Sequence, residues 1–184
     1  MNLLTIILIA VAVVAVGFSI FAYNSLVKLK IAVQEAWAQV EVQLRRRYDL
    51  IPNLVEAVKG YATHESSVFT AVTDARSNAI GAQTPEQAAE ADNMLTGALK
   101  SLFAVAEAYP DLKASSNFLS LQEELSTTEN KVAFARQYYN DSVRSLNTKI
   151  ATFPWMLYKG LAKAEPAEFF EAPEEAAEPP KVQF

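Results

Sequence analysis

The sequence predicts an all-α fold, a single N-terminal transmembrane helix that continues into an antiparallel up-down four-helix bundle. Three observations carry this. The chain opens on a twenty-residue stretch without a charge, and glycine is scarce, with five in 184 residues. Apolar side chains then recur at steps of three and four, with no strand-like alternation of useful length.

Residues 3–22 read LLTIILIAVAVVAVGFSIFA, with only Thr5, Gly17 and Ser19 among the aliphatics. At about 1.5 Å of rise per residue such a helix covers the roughly 30 Å hydrocarbon core. A cleaved signal peptide is the alternative. That reading calls for a basic start, a shorter apolar run and a small-x-small cleavage site. Nothing basic precedes this run, and no Ala-x-Ala follows it. The expected domains are an anchor over 1–22, a helical bundle over 23–163 and an acidic tail over 164–184.

Helix one continues from the anchor through Tyr23 to Tyr48. A second helix is expected from Asp49, its N-cap, with Pro52 tolerated in the first turn, and it runs to about Ile80 before Gly81. Thr84-Pro85-Glu86-Gln87 marks the third start, with a capping threonine, proline at the first helical position and a capping-box glutamine. That helix stops at Tyr109-Pro110. A fourth runs from Ser115 or Ser116 to Phe153-Pro154. Short connections make successive helices antiparallel. The seams read Leu54, Val58, Tyr61, Glu65, Val68, Val72, Ala75 in helix two and Leu95, Leu99, Leu102, Ala106, Tyr109 in helix three. Helix four, at roughly 55 Å, outreaches the roughly 39 Å soluble part of helix one. Its end should therefore come down to the lipid surface. There it meets Phe153, Trp155 and Tyr158, which with Tyr23 are the candidate membrane-interface aromatics. A capping cluster packed beneath the bundle is the other reading of the same residues.

The net charge of −5 is local. Residues 164–184 hold six of the 21 acidic side chains and one lysine, leaving the rest of the chain neutral. A neutral body argues against a nucleic-acid partner. The tail is rich in Ala, Pro and Glu and is expected to be mobile. Its end, with Val182 and Phe184, is apolar enough to dock on a partner as a short extended segment.

No cysteine occurs, which excludes disulfides and thiolate chemistry. The single histidine, His64, is followed by Glu65, but position 68 is valine and no zinc-protease motif forms. Neither Glu-x-x-His pairs, nor a phosphate loop, nor a nucleophile elbow is present, so no catalytic residue, metal or cofactor is expected. What stands out is a polar line within the apolar pattern. Glu65 lies in the seam of helix two, and Glu129, Arg136, Asn140 and Asn147 fall seven, four and seven residues apart on helix four. A buried ionic network of Glu65, Glu129 and Arg136 is expected, with Arg76 near Asn140. Within Arg45-Arg46-Arg47, at least one arginine is expected to pair with a bundle carboxylate.

Several stretches, in order, carry a resemblance. They are YNSLVKLK after the span, AWAQVEVQLRRRYDLIPNLVEAVKGYATHE, the Ala75-Arg76 pair, AYPDLKASSNFLSLQEELSTTENKVAFARQYYND and LNTKIATFP. The chain resembles the LemA family of bacterial membrane proteins along nearly its whole length. The resemblance implies one N-terminal span followed by a helical bundle. Glu65, Arg76, Glu129, Arg136, Asn140 and Asn147 match the family's characteristic polar positions, and no catalytic role attaches to them.

The expected function is a membrane-anchored scaffold in the bacterial inner membrane. Its expected partners are the lipid bilayer, further copies of itself and other membrane proteins. A ligand-binding or enzymatic bundle with a polar site at Glu65 and Arg136 is the contrasting reading, and an envelope-stress or chaperone-like adaptor a third. Ala12, Ala15, Gly17 and Ser19 on the span permit close helix approach. Lys28 and Lys30 after the span place the bundle in the cytoplasm by the positive-inside rule, with an extracytoplasmic bundle as the alternative.

Overall fold

A computed structural model describes residues 2–170, and all its regular structure is helical. The elements are α1 (Leu3–Lys59), α2 (Ser66–Gly81), α3 (Pro85–Glu107), the single turn α4 (Pro110–Lys113) and α5 (Ser116–Ala151), followed by a 3-10 turn over Trp155–Leu157. Val182 and Phe184 lie outside the described residues.

The described residues form two compact units, one from residues 2–37 and 138–168 and the other from 38–137 with 169–170. Helices α1 and α5 contribute to both. In the second unit, the four helices present the apolar faces that make an up-down four-helix bundle. Helix α1 buries Val40, Leu44, Tyr48, Ile51, Leu54 and Val58, and α2 buries Phe69, Val72, Ala75 and Ala79. Helix α3 contributes Leu95, Leu99, Leu102 and Ala106, and α5 contributes Phe118, Leu125 and Val132. These repeat at helical spacing, and each fully buried leucine or valine contributes about 1.5–3 kcal/mol. The α3 start forms as its residues dictate. Thr84 Oγ1 accepts from Gln87 N at 3.2 Å, Gln87 Oε1 accepts from Gln83 N at 3.0 Å, and Pro85 occupies the first turn.

One boundary differs from expectation. No helix begins at Asp49; α1 passes through Pro52 and ends at Lys59, and the turn spans Gly60 to Glu65. Its backbone closes by Tyr61 N→Val58 O at 3.0 Å and Ala62 N→Val58 O at 2.9 Å. A proline inside a helix removes one hydrogen bond and crowds the carbonyl four residues earlier, at about 3 kcal/mol. Packing outweighs that here, because Ile51, Leu54, Val55 and Val58 extend the buried face that Val40, Leu44 and Tyr48 begin. The bond itself is replaced. Tyr48 O would have accepted from residue 52, and instead it accepts Arg76 Nε at 2.7 Å from α2.

In the first unit, residues 3–21 leave large apolar side chains open, Val14 and Leu3 at 71% and 74% exposure. The helix is long and apolar enough to cross a membrane, and its apolar window is not buried within the chain, unlike the core helix of a soluble protein. Burial begins at Ala22 and Leu26 and continues through Val33 and Ala36, with Val143, Leu146 and Ile150 buried on α5.

Candidate functional site

Polar side chains gather in two places on this scaffold, one in each unit. In the second unit, the centre is Arg47, with 3% exposure on the buried face of α1 one turn after Leu44. Its Nη1 donates to Asp92 Oδ1 on α3. Its Nη2 donates to Thr96 Oγ1 and to Glu129 Oε1 on α5, each at 3.0 Å. Asp92 is buried as deeply as its partner, whereas the Glu129 side chain is about half exposed, at 47%. The two ion pairs are therefore unequal. The Asp92 pair is desolvated and expensive to break, and the Glu129 pair is screened by water. Burial, aided by the Asp92 charge and opposed by Arg47, pushes the Tyr48 phenol up to about 12. A surface hollow of about 260 Å³ beside Glu129 is lined by Phe103, Gln122, Leu125 and Ser126, without Arg47 or Asp92.

The expected network of Glu65, Glu129 and Arg136 is thus replaced. Glu129 takes part, with Arg47 as its cation. Glu65 sits at the N-cap position of α2, in the turn, and not in a helical seam. Arg76, expected near Asn140, serves the Tyr48 carbonyl. Arg47 fulfils the expectation that one member of the arginine triplet pairs with a bundle carboxylate. Asp92 was missed, although its place three residues before Leu95 in the α3 seam is a signal for it.

The polar edge of α5 serves another purpose. Composition predicts a tail free from Ala164 onward, but Ala164 and Phe170 are buried, at 3% and 1%. Within the first unit, Asn147 clasps the returning backbone at both ends of its amide. Its Nδ2 donates to Ala167 O and its Oδ1 accepts from Ala167 N, both at 2.9 Å. Tyr139, packed on Trp37 at 5.3 Å between ring centroids, donates its hydroxyl to Glu168 O at 2.7 Å. Burial, with the Glu168 charge adding to it, raises the Tyr139 phenol to about 12, which keeps this donor protonated. In the second unit, the Arg136 guanidinium lies 4.6 Å from the centre of the Phe170 ring. Its pKa is lowered, chiefly by burial and further by Arg47, against Asp92. Asn140 is half-buried on the same helix. Within the first unit, Tyr139 and Asn147 clasp the backbone of residues 167–168, and within the second, Arg136 holds the Phe170 ring by cation–π contact.

The candidate interface aromatics divide. Trp155 stands 5.9 Å from Phe18 and 5.6 Å from Phe21, and Tyr158 stands 6.0 Å from Phe18 with its hydroxyl 3.1 Å from Ser19 Oγ. Phe153 is turned outward at 76% exposure, and Tyr23 is exposed just past the apolar stretch. Among the described residues, no three His, Asp or Glu side chains gather as a metal site.

Comparison with known proteins identifies the family. The model of the LemA family matches residues 36–184. Protein LemA of Metamycoplasma hominis is 27% identical over 149 residues, covering 77% of this chain and 67% of that protein. Magnetosome protein MamQ 2 of Paramagnetospirillum magneticum is 25% identical over 175 residues, covering 81% of this chain and 64% of its own length. Magnetosome protein MamQ of Magnetospirillum gryphiswaldense is 24% identical, with 80% and 64% covered. The chain therefore spans just under two thirds of the length of the magnetosome relatives. With the family model covering most of the chain, the protein belongs to the LemA family.

Proposed function

We propose that this protein is a membrane-anchored helical scaffold that self-associates or organises partner membrane proteins, without catalysis of its own. The observation that carries the reading is how the charged groups inside the bundle are used. Arg47 is spent on Asp92, Thr96 and Glu129, and Arg76 on a backbone carbonyl. Both Nη atoms of Arg47 are engaged in this way, which holds helix register and leaves little charge to polarise a substrate, although Arg47 Nε, Gln43 Oε1 and the Tyr48 hydroxyl are buried without a hydrogen bond. The surface left open is the apolar one, at the N-terminal helix. None of the three relatives' names specifies a reaction. The scaffold is placed in the bacterial inner membrane with its bundle in the cytoplasm, supported by Lys28 and Lys30 behind the span.

Cross-linking in native membranes tests self-association, with Gly17→Leu as the informative variant. A Cβ at Gly17 meets nothing within 4 Å in its own chain. A bulky residue there leaves the monomer intact and obstructs only a neighbouring helix. Cross-linked species that fade in Gly17→Leu support the reading. Monomer alone in the parent protein refutes self-association, and absence of co-purifying membrane proteins from nanodisc extracts then refutes the scaffold.

A further inference from the structure

Beyond α5, the chain folds into a compact knob with two unlike faces. Its backbone closes on itself through Met156 N→Thr152 O at 2.9 Å, Leu157 N→Pro154 O at 3.1 Å, Tyr158 N→Trp155 O at 2.9 Å and Ala162 N→Tyr158 O at 3.0 Å. Internal satisfaction of the backbone is what a segment needs before it can leave water. The inner face rests on the anchor helix through Trp155 and Tyr158, as described above. Away from those contacts, Phe153, Met156, Leu157 and Leu161 are 76%, 46%, 68% and 69% exposed within a nine-residue stretch. A soluble surface rarely groups so many large apolar side chains.

Level and charge identify what covers this face. Phe18 and Phe21 lie one to four residues before Ala22, so Trp155 meets the apolar stretch roughly 1.5–6 Å inside its end. That is the boundary between acyl chains and headgroups, the layer that tryptophan and tyrosine favour. The charges around the knob are of one sign. Lys149 Nζ is 3.8 Å from the centre of the Trp155 ring, Lys30 Nζ donates to Lys163 O at 3.2 Å, and Lys159 is exposed between them. No acidic residue occurs from 149 to 163 or from 3 to 30.

We infer that residues 153–161 are a second membrane-seated element. Phe153, Met156, Leu157 and Leu161 enter the leaflet in which the anchor ends, and the lysines face its anionic headgroups. The inference rests on the anchor reading and adds a monotopic foot to it. The chain would then hold the bilayer at two points and resist rotation about the span.

The test uses full-length protein in nanodiscs of anionic lipid, with Trp37→Phe leaving Trp155 as the only tryptophan. Trp155 is expected to lose most of its emission to lipids brominated near the carbonyl end of the chain. It should lose little to lipids brominated near the methyl end or to aqueous iodide. A Leu157→Trp reporter, in a background with Trp37→Phe and Trp155→Phe, should be quenched more strongly still by the shallow bromines. Strong quenching of both reporters by iodide overturns the inference, as does shielding from iodide and bromine alike, which would mean a protein partner covers the face. Val11→Trp in the same background separates the two readings. If it is quenched by deep bromines while the knob reporters are not, the span stands and the foot falls. If Val11→Trp is also open to iodide, the anchor reading itself fails.

Discussion

Replacing Arg76 by leucine tests how α1 survives its internal proline. Pro52 cannot donate to Tyr48 O, and Arg76 Nε supplies that bond at 2.7 Å from another helix. Tyr48 is 5% exposed, so its carbonyl has little recourse to water once the guanidinium is gone. A hydrogen bond from a charged donor contributes about 1.5–3 kcal/mol, and stranding its acceptor carries a similar cost. Arg76→Leu, which keeps the apolar stem, should therefore destabilise the bundle by about 2 kcal/mol. Pro52→Ala restores an N–H at the position that Tyr48 O expects. It also removes the steric cost of a mid-helix proline, so alone it should stabilise by about 1–2 kcal/mol, less than the full proline penalty because Arg76 already provides the bond.

The decisive quantity is the coupling between the two changes. In the Pro52→Ala background, the carbonyl has an intrahelical partner, and Arg76→Leu should cost about 1 kcal/mol or less. Guanidinium unfolding of the full chain in detergent, followed by helical circular dichroism, gives all four stabilities by linear extrapolation. A slope of about 4 kcal/mol per molar converts the expected 2 kcal/mol into a midpoint shift of about 0.5 M. Equal losses in both backgrounds, within about 0.5 kcal/mol, would refute the compensation. A destabilising Pro52→Ala would refute the continuous helix, because a first-turn proline is favourable and its removal carries a cost.

Two further predictions concern the other polar contacts. Arg47→Leu removes the hydrogen-bonded counter-ion of buried Asp92 and should cost about 3–5 kcal/mol, whereas adding Asp92→Leu should recover most of it; a double variant no more stable than the single one in the same unfolding assay would show that the pairing is not the cause. Asn147→Ala removes both clasps on Ala167 and should loosen the strap by about 1–2 kcal/mol without unfolding the helices. Limited digestion by a glutamate-specific protease should then cut after Glu168 several-fold faster (the Glu165-Pro166 bond resists such an enzyme), and an unchanged rate would mean that Asn147 does not retain the strap.

How much of this was legible in the sequence turns on a single local ambiguity. The cap at Thr84, the proline after it, the apolar seam of α3 from Leu95 to Ala106 and the uncharged N-terminal stretch are each written within a few neighbouring residues, and each formed as read. Asp49-Leu50-Ile51-Pro52 is locally a good helix start too. What overrides it is Arg76, 24 residues further on and supplied by packing, which no local signal announces. Moving the turn from Asp49 to Gly60–Glu65 then resets every depth measured from it. Glu65, which a start at Asp49 carries about 22 Å down helix two, comes to lie in the turn itself, out of reach of the network. Arg47 moves the other way. It stands twelve residues from the end of α1, Asp92 fifteen from the end of α3 and Glu129 thirteen from the start of α5. At the helical rise these depths are roughly 18, 22 and 20 Å, so the three meet. The arithmetic that misassigned the partners finds them once the turn is correct. The strap failed for a different reason. Averaged over 21 residues, the Ala-Pro-Glu composition argues for a free tail from Ala164, and averaging conceals the buried Ala164 and Phe170 at its start; residues 171–184 lie outside the described residues. Asn147 stood on the polar edge with no partner assigned to it, and Arg136 was expected to pair with Glu65 and Glu129 instead of holding Phe170. An unexplained polar edge on a core helix is itself a sign that some segment of the chain returns to cover it.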